Sequence, residues 1–190
     1  MEGAEKMIEF KNVSFSYKEK NVLDNFNLKI ASGERICLFA KSGRGKTTVL
    51  RLITGLEKPD KGEVRLGSDS ISAVFQEDRL LPFKTVRENI NEFSDGKNTD
   101  EILGRLGIIS VADSYPSVLS GGMARRVAIA RALCKESDIY IFDEPFTGLD
   151  KENIISCSEV INDMTEGKTV VAVLHEKEYA SLINCTVKEI

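Results

Sequence analysis

The sequence lacks any long apolar run. Its most apolar stretches, "VVAVL" and "ICLF", have the length of a β-strand and fall far short of the ~18 residues that span a bilayer. The opening "MEGAEK" is not followed by the apolar core of a signal peptide. We therefore expect no membrane span, and any link to a membrane must be made through a partner.

The sequence also lacks paired cysteines and an excess of basic residues. Its four cysteines are far apart, and no C-x-x-C occurs, which predicts buried apolar thiols in a reducing cytosol rather than a disulfide framework or a zinc site. The formal net charge is −4, so the chain lacks the excess of basic residues that a general nucleic-acid binder presents. The 190 residues, 42% of them hydrophobic, are enough for one globular domain with a core.

Strand patterns alternate with helix patterns along much of the chain. "MIEFKNVSFSY" and "VLDNFNLKI" are rich in β-branched and aromatic residues and predict N-terminal strands. The short apolar runs "RICLFA" and "IYIF" are typical of strands buried on both faces, which indicates βαβ units and a mainly parallel sheet. Residues 77–136 show mostly helical patterns. The predicted organisation is a single domain over 1–190, with a core formed by 1–76 and 137–190 and a helical insert at 77–136.

The stretch "AKSGRGKTT", residues 40–48, joins a predicted buried strand to a predicted helix. It fits the phosphate-loop pattern G-x-x-x-x-G-K-[ST] at Gly45, Lys46 and Thr47, but Ala40 replaces the first glycine. In such loops backbone amides hold phosphates, the lysine reaches the β- and γ-phosphates, and the hydroxyl ligates Mg²⁺. The departure leaves three interpretations open: a working nucleotide site, a damaged one, and a chance glycine-rich turn.

A pair of acids ends the strand pattern "IYIFDEP". Asp143 and Glu144 are expected at the C-terminal end of that strand, where ligands bind in open α/β sheets. Asp143 is placed to hold Mg²⁺, and Glu144 is placed to orient or deprotonate an attacking water. A strand that merely ends in acids is the plain alternative, and the phosphate loop makes that alternative weaker.

A second anion site is indicated by "LSGGM". Ser120 suits the N-cap of the following helix, and Gly121 and Gly122 expose backbone N–H groups at its start. A simple capped helix would look the same. Two phosphate-type helix starts in one chain require an explanation.

Together these motifs resemble the ATPase subunits of ATP-binding cassette (ABC) transporters. "LSGGMARRVAIARAL" is similar to the family's signature motif and its helix, "IYIFDEP" to the Walker B strand, and "TGLD", ending at Asp150, to the D-loop. Gln76 falls at the Q-loop glutamine and His175, the only histidine, at the switch histidine. Tyr17 falls at the aromatic that stacks on adenine. The matches occur in the family's order over nearly the whole chain.

The resemblance implies that ATP and Mg²⁺ are the cofactors. It implies catalytic roles for Glu144, His175 and Gln76, and Mg²⁺ ligation by Thr47, Gln76 and Asp143. The residues that it implies for ATP binding are Tyr17, Ala40, Lys41, Ser42, Gly43, Arg44, Gly45, Lys46, Thr47, Thr48, Ser120, Gly121, Gly122 and Asp150.

The fold that the resemblance implies is an α/β P-loop NTPase (RecA-like) core with a mainly parallel sheet, an N-terminal antiparallel β part and an inserted α-helical subdomain. The implied partners are a second ABC ATPase, in a homodimer or a heterodimer, and membrane permease subunits, with no nucleic acid. In the head-to-tail dimer each ATP lies on one subunit's phosphate loop and under the other's signature glycines, which explains the second anion site. The location implied is cytoplasmic, peripheral at the inner face of the cell membrane when assembled.

The segment "VFQEDRLLPFKTVRENI" is similar to importers of nitrate, sulfonates and related small anions, although Phe83 stands where that group often has tryptophan. Residues 77–93 are expected to face the permease, and Arg125 and Arg126 to lie on a solvated helix face.

Import of a small solute, powered by ATP hydrolysis, is the predicted function. The alternatives are a cassette that serves no transporter, a P-loop small-molecule kinase, and an ATP-sensing scaffold weakened by Ala40. A positive φ at Ala40 would cost roughly 1–2 kcal/mol, and a negative φ almost nothing.

Overall fold

A computed structural model describes residues 6–18, 20–41, 43–96 and 98–190. The strands are β1 (Lys6–Tyr17), β2 (Lys20–Ala31), β3 (Arg35–Phe39), β4 (Lys61–Leu66), β5 (Ile71–Val74), β6 (Ile139–Asp143), β7 (Thr169–Val173) and β8 (Thr186–Glu189). The helices are α1 (Lys46–Ile53), α2 (Val86–Asn91), α3 (Thr99–Arg105), α4 (Gly121–Cys134), α5 (Lys151–Met164) and α6 (Tyr179–Leu182). None of these helices is long and apolar enough to cross a membrane.

Two sheets carry the fold. β1, β2 and β4 form an antiparallel sheet in the order β2-β1-β4, and the other five strands form a parallel sheet in the order β5-β6-β7-β3-β8. Leu38 pairs with Val173, and Asp143 pairs with the same residue from the other side. The C-terminal ends of β3, β6 and β7 therefore meet at one edge of the sheet. The predicted α/β fold, with its antiparallel N-terminal part, is confirmed.

The central strands are apolar on both faces because both faces are covered. Ile139 and Ile141 of β6 pack with α1 and the antiparallel sheet, whereas Tyr140 and Phe142 pack with α4 and α5. This is the two-residue alternation of a strand between two layers. The rigid sheet consequently fixes the loops at its C-terminal edge, where ligands bind in such folds.

The four cysteines are buried free thiols, as the sequence predicted. Burial raises the pKa of Cys157 and that of Cys185 to about 12. Thiols with such a high pKa stay protonated and unreactive near neutral pH. They act as small apolar side chains in the core.

The prediction of a solvated face for Arg125 is wrong. The α4 helix packs against β5, α2, α3 and α5, so it has little free surface. Arg125 is only 4% exposed, and its guanidinium donates to the carbonyl groups of Phe75 and Gln76. Arg126 is half-buried, and its Nη1 donates to the Leu106 carbonyl at 2.9 Å.

Candidate active site

The phosphate loop leaves β3 at Phe39 and enters α1 at Lys46. Gly45 is the N-cap of α1 with φ 87°, which is left-handed backbone. A Cβ at Gly45 would lie 3.0 Å from side-chain atoms of Val22 and Leu23, so both the backbone angle and the space require glycine. Gly43 is also left-handed, at φ 78°. Ser42, a predicted ATP contact, lies outside the described residues.

Ala40 does not occupy left-handed backbone. The non-glycine residues with positive φ in the described chain are Asn12, Lys18, Asn25, Arg79, Glu144 and Asn184. An alanine at the first position of this loop is therefore free of the φ penalty that would have weakened the site. The carbonyl of Ala40 instead accepts a hydrogen bond from Lys46 Nζ at 2.8 Å, and any residue type can supply that carbonyl.

Restoring the expected glycine, Ala40→Gly, is predicted to leave affinity for ATP within about twofold of wild type, because there is no left-handed strain to relieve. Titration of a fluorescent ATP analogue measures this. The contrasting variant is Gly45→Ala, which places a Cβ on strained backbone and is expected to bind more weakly. A tenfold gain in Ala40→Gly would contradict the prediction and mean that Ala40 obstructs the loop.

Asp143 ends β6 as a buried carboxylate without partners. It is 1% exposed, and neither of its carboxylate oxygens has a hydrogen-bond partner among the residues described. Burial raises the pKa of Asp143; the Thr47 hydroxyl, which is close but does not complete a hydrogen bond, lowers it, and the charge of Glu144 raises it further. A buried carboxylate of this kind is costly unless a cation neutralises it.

The surroundings of Asp143 fit Mg²⁺. Asp143, Thr47 and Gln76 line one small cleft of about 100 Å³, and they offer a carboxylate, a hydroxyl and an amide oxygen. Magnesium prefers oxygen ligands and usually takes only one or two carboxylates, with water and substrate phosphates completing its octahedron. The described residues contain no cluster of three acidic, histidine or cysteine side chains, and a Mg²⁺ site of this type does not need one.

Glu144 has a strained backbone at the centre of the site. Its φ is 52°, which costs a non-glycine residue roughly 1–2 kcal/mol, and its N–H donates to the Val173 carbonyl at 2.9 Å. Glu144 lines two neighbouring clefts, one of about 290 Å³ on the phosphate-loop side and one of about 270 Å³ that His175 also lines. Strain of this kind recurs at catalytic positions, where the surrounding structure holds it.

Six of the fourteen residues predicted for ATP line the phosphate-loop cleft, together with Gln76 and Glu144, which were predicted for catalysis. Its lining includes Tyr17, Gly43, Gly45, Lys46, Thr47, Thr48, Gln76 and Glu144. Lys20 and Val22 also line it, and sequence reasoning missed both because they follow Tyr17 without any motif of their own. Ala40, Lys41 and Arg44 belong to the loop itself, where the Arg44 N–H donates to the Lys41 carbonyl.

The sequence profile described as "ABC transporter" matches residues 23–147, which is well over half of the chain. The chain belongs to the ABC transporter family. The aliphatic sulfonates import ATP-binding protein SsuB 2 of Pseudomonas syringae is 36% identical over 96% of this chain and 68% of its own length. The glutamine transport ATP-binding protein GlnQ of Escherichia coli is 37% identical over 93% of this chain and 84% of its own length.

Solved structures of ABC cassettes have the same fold. The dimeric post-hydrolysis state of the ATP-binding cassette MJ0796, bound to ADP and Pi, superposes with a TM-score of 0.81 at 31% identity, over 93% of this chain and 91% of that one. A second dimeric structure of MJ0796, a bacterial ABC transporter cassette, gives a TM-score of 0.84 at 30% identity, over 96% and 94%. As a member of this family, the chain is an ATP-binding ATPase.

In this ABC ATPase the signature motif lies apart from the chain's own phosphate cleft. Ser120 caps α4, its Oγ accepting from the Met123 N–H at 3.2 Å. Gly122 lies against the "TGLD" loop, since a Cβ there would be 3.1 Å from the Gly148 carbonyl oxygen. Within the described chain, Ser120, Gly121, Gly122 and Asp150 line none of the three clefts around Glu144 and Asp143. Asp150 itself caps α5 by accepting from the Asn153 N–H at 2.9 Å.

The aromatic ring of Tyr17 is partly exposed at the rim of the ABC cassette's phosphate cleft. It is 42% exposed, it packs edge-on against Phe15 with ring centroids 4.8 Å apart, and its hydroxyl donates to Glu57 at 3.4 Å. An exposed ring face held in this way is suited to stacking on a flat base.

Proposed function

We propose that this chain hydrolyses ATP to power import of a small solute through a separate membrane permease. The observation that carries the proposal is the shared cleft of Lys46 and Glu144, with the unpartnered carboxylate of Asp143 next to Thr47. The names of the relatives, which are import and transport ATP-binding proteins, support the direction of transport. A non-hydrolysing ATP sensor is disfavoured because Ala40 carries no φ penalty.

The phosphates of ATP bind on the loop at the start of α1. The N–H groups of the loop and the positive end of the helix favour anions there. Lys46 Nζ exchanges its bond to the Ala40 carbonyl for charge-assisted bonds to the β- and γ-phosphates. Thr47, Gln76 and Asp143 would hold Mg²⁺, which neutralises charge on these phosphates when bound.

Glu144 acts as the general base of the hydrolysis. Glu144 lines the phosphate cleft and the cleft of His175, and in this proposal its carboxylate accepts the proton of a water that attacks the γ-phosphate. His175 follows β7 with an exposed side chain and contacts the γ-phosphate. Tyr17 stacks on the adenine ring at the rim of the same cleft.

The complete site requires two chains. Ser120 and Gly122 line no cleft around Glu144 within the described part of one chain. We therefore assign them to the γ-phosphate that the partner holds. Asp150 lies exposed at the N-cap of α5, and we assign it to the same interface. The head-to-tail arrangement makes the contact reciprocal.

A composite site predicts that ATPase activity rises faster than linearly with protein concentration while dimerisation is limiting. Mixing two inactive variants sharpens the test. Lys46→Ala disables the phosphate loop, and Gly121→Glu places a negative charge at the signature motif, where a Cβ meets no other atom within 4 Å in its own chain. Each variant alone is expected to be inactive. Their mixture is expected to regain up to about a quarter of wild-type activity, because half of the dimers contain one complete site.

Phosphate release measured over a range of concentrations, with size-exclusion chromatography, checks both results. Strictly linear activity together with a mixture no more active than its parts would contradict the composite site.

The permease is proposed to dock on residues 77–93. Phe83 is 91% exposed, and the loop that carries it is fixed by the fully buried Asn89. The Asn89 Oδ1 accepts from the Leu81 N–H at 2.7 Å, and its Nδ2 donates to the Lys84 carbonyl at 3.0 Å. Phe83 is the most exposed of the large apolar side chains in the described chain, and a partner that covered it would remove that apolar surface from water. In this proposal residues 77–136 form the helical signature subdomain, 1–76 and 137–190 form the core, and the assembled protein is peripheral at the inner face of the cell membrane.

A further inference from the structure

Arg125 is a buried positive charge outside the three clefts around Glu144 and Asp143. Its Nη1 donates to the Phe75 carbonyl at 2.6 Å, and its Nη2 donates to the Gln76 carbonyl at 2.6 Å. The Asp78 carboxylate lies 3.2 Å from Nη1. A buried guanidinium is costly unless it is paired and hydrogen-bonded, and all three of these partners belong to one short segment after β5.

That segment leaves the sheet and carries Gln76 toward the cleft of Thr47 and Asp143. Its polar main chain lies beyond the last residue of β5, and no strand among the described residues pairs with it there. The guanidinium of Arg125 supplies the hydrogen-bond donors that a neighbouring strand would otherwise provide. Its planar fork reaches two successive carbonyl groups at once. Further along α4, Arg131 donates to the carbonyl groups of Asp78 and Arg79 at 2.7 and 2.9 Å.

We propose that Arg125 is a positioning residue for Gln76: it holds the main chain of residues 75 and 76 so that the Gln76 side chain lies at the Mg²⁺ cleft with Thr47 and Asp143. The proposal deepens the function proposed above and rests on the role given there to Gln76. Arg125 itself lines none of the clefts around Glu144 and Asp143, so it acts only through the segment that it holds.

The main test compares Arg125→Met with Arg105→Met. Arg105 also lies on a helix of the 77–136 segment, but its guanidinium pairs with Asp163 and not with the segment of Gln76. Arg125→Met is expected to lower kcat by about tenfold, the cost of a small misplacement near the reacting atoms, and to raise several-fold the Mg²⁺ concentration that gives half-maximal rate. Affinity for ATP without Mg²⁺ should stay close to that of wild type, because the phosphate loop is untouched. Arg105→Met should change none of these quantities.

Two further variants separate positioning from folding. Arg125→Lys keeps the charge but lacks the planar fork. The Mg²⁺ concentration that gives its half-maximal rate is therefore expected to lie between the values of wild type and Arg125→Met. Arg125→Gln offers a neutral donor to one carbonyl and replaces Arg125→Met in every measurement if that variant does not fold.

Deuterium exchange of the nucleotide-free protein measures the contact without any activity. The peptide over residues 74–82 is expected to exchange faster in Arg125→Met than in wild type, while the peptide over 40–50 is unchanged. The proposal is overturned if exchange at 74–82 is unaltered, or if kcat and Mg²⁺ dependence match those of Arg105→Met. A wild type without ATPase activity would refute the proposed function instead, and exchange at 74–82 would then decide whether Arg125 holds the segment.

Discussion

Glu144→Gln is expected to lower the rate of ATP hydrolysis by about 10²-fold or more, the usual contribution of a general base, with little change in affinity for Mg·ATP. The amide has nearly the same shape as the carboxylate and cannot accept a proton from water. Lys46, Thr47 and Asp143 remain to hold the nucleotide, and the left-handed backbone at Glu144 is no worse for glutamine than for glutamate. Phosphate release under saturating Mg·ATP measures the rate.

Slow turnover in Glu144→Gln should trap ATP between two chains, so size-exclusion chromatography with Mg·ATP is expected to show a dimer for this variant. Glu176→Gln is the matched control, because Glu176 lines the same cleft as His175 and has no role in the proposed chemistry. It should hydrolyse ATP at the wild-type rate. Wild-type turnover in Glu144→Gln would refute the role assigned to Glu144.

Lys46→Ala is expected to weaken ATP binding by about 10- to 100-fold, since each charge-assisted hydrogen bond contributes about 1.5–3 kcal/mol. Lys46 begins α1, and its Nζ already lies across the loop, 2.8 Å from the Ala40 carbonyl. Alanine is a better helix former than lysine, so the thermal midpoint of unfolding should not fall.

Equilibrium titration with a fluorescent ATP analogue, together with thermal unfolding, measures both properties of Lys46→Ala. Lys29→Ala is the control, because Lys29 pairs with Glu9 on the antiparallel sheet and lines none of the clefts at the site. Unchanged affinity in Lys46→Ala would mean that the loop does not bind the phosphates. Loss of affinity together with a lower midpoint would instead indicate damage to the fold.

The sequence by itself determined the family, the order of strands and helices, and most of the lining of the phosphate cleft. Those features depend on short stretches of chain. Gly45 and Lys46 act through one turn and the start of one helix. Asp143 ends a strand that is apolar on both faces, and Glu144 directly follows it. The alternation of β6 could be predicted because it repeats every two residues and needs no knowledge of the neighbouring strands.

Tertiary structure decided the rest. Whether Ala40 harms the loop depended on a backbone angle that no residue pattern gives, and that angle is not left-handed. The unpartnered carboxylate of Asp143 likewise depends on which side chains the packed sheet brings near it. Arg125 looked like a solvated charge, because its partners Phe75 and Gln76 are 50 and 49 residues away. Only the packing of α4 against β5 brings them together, and a buried charge can be recognised only when its distant partners are known.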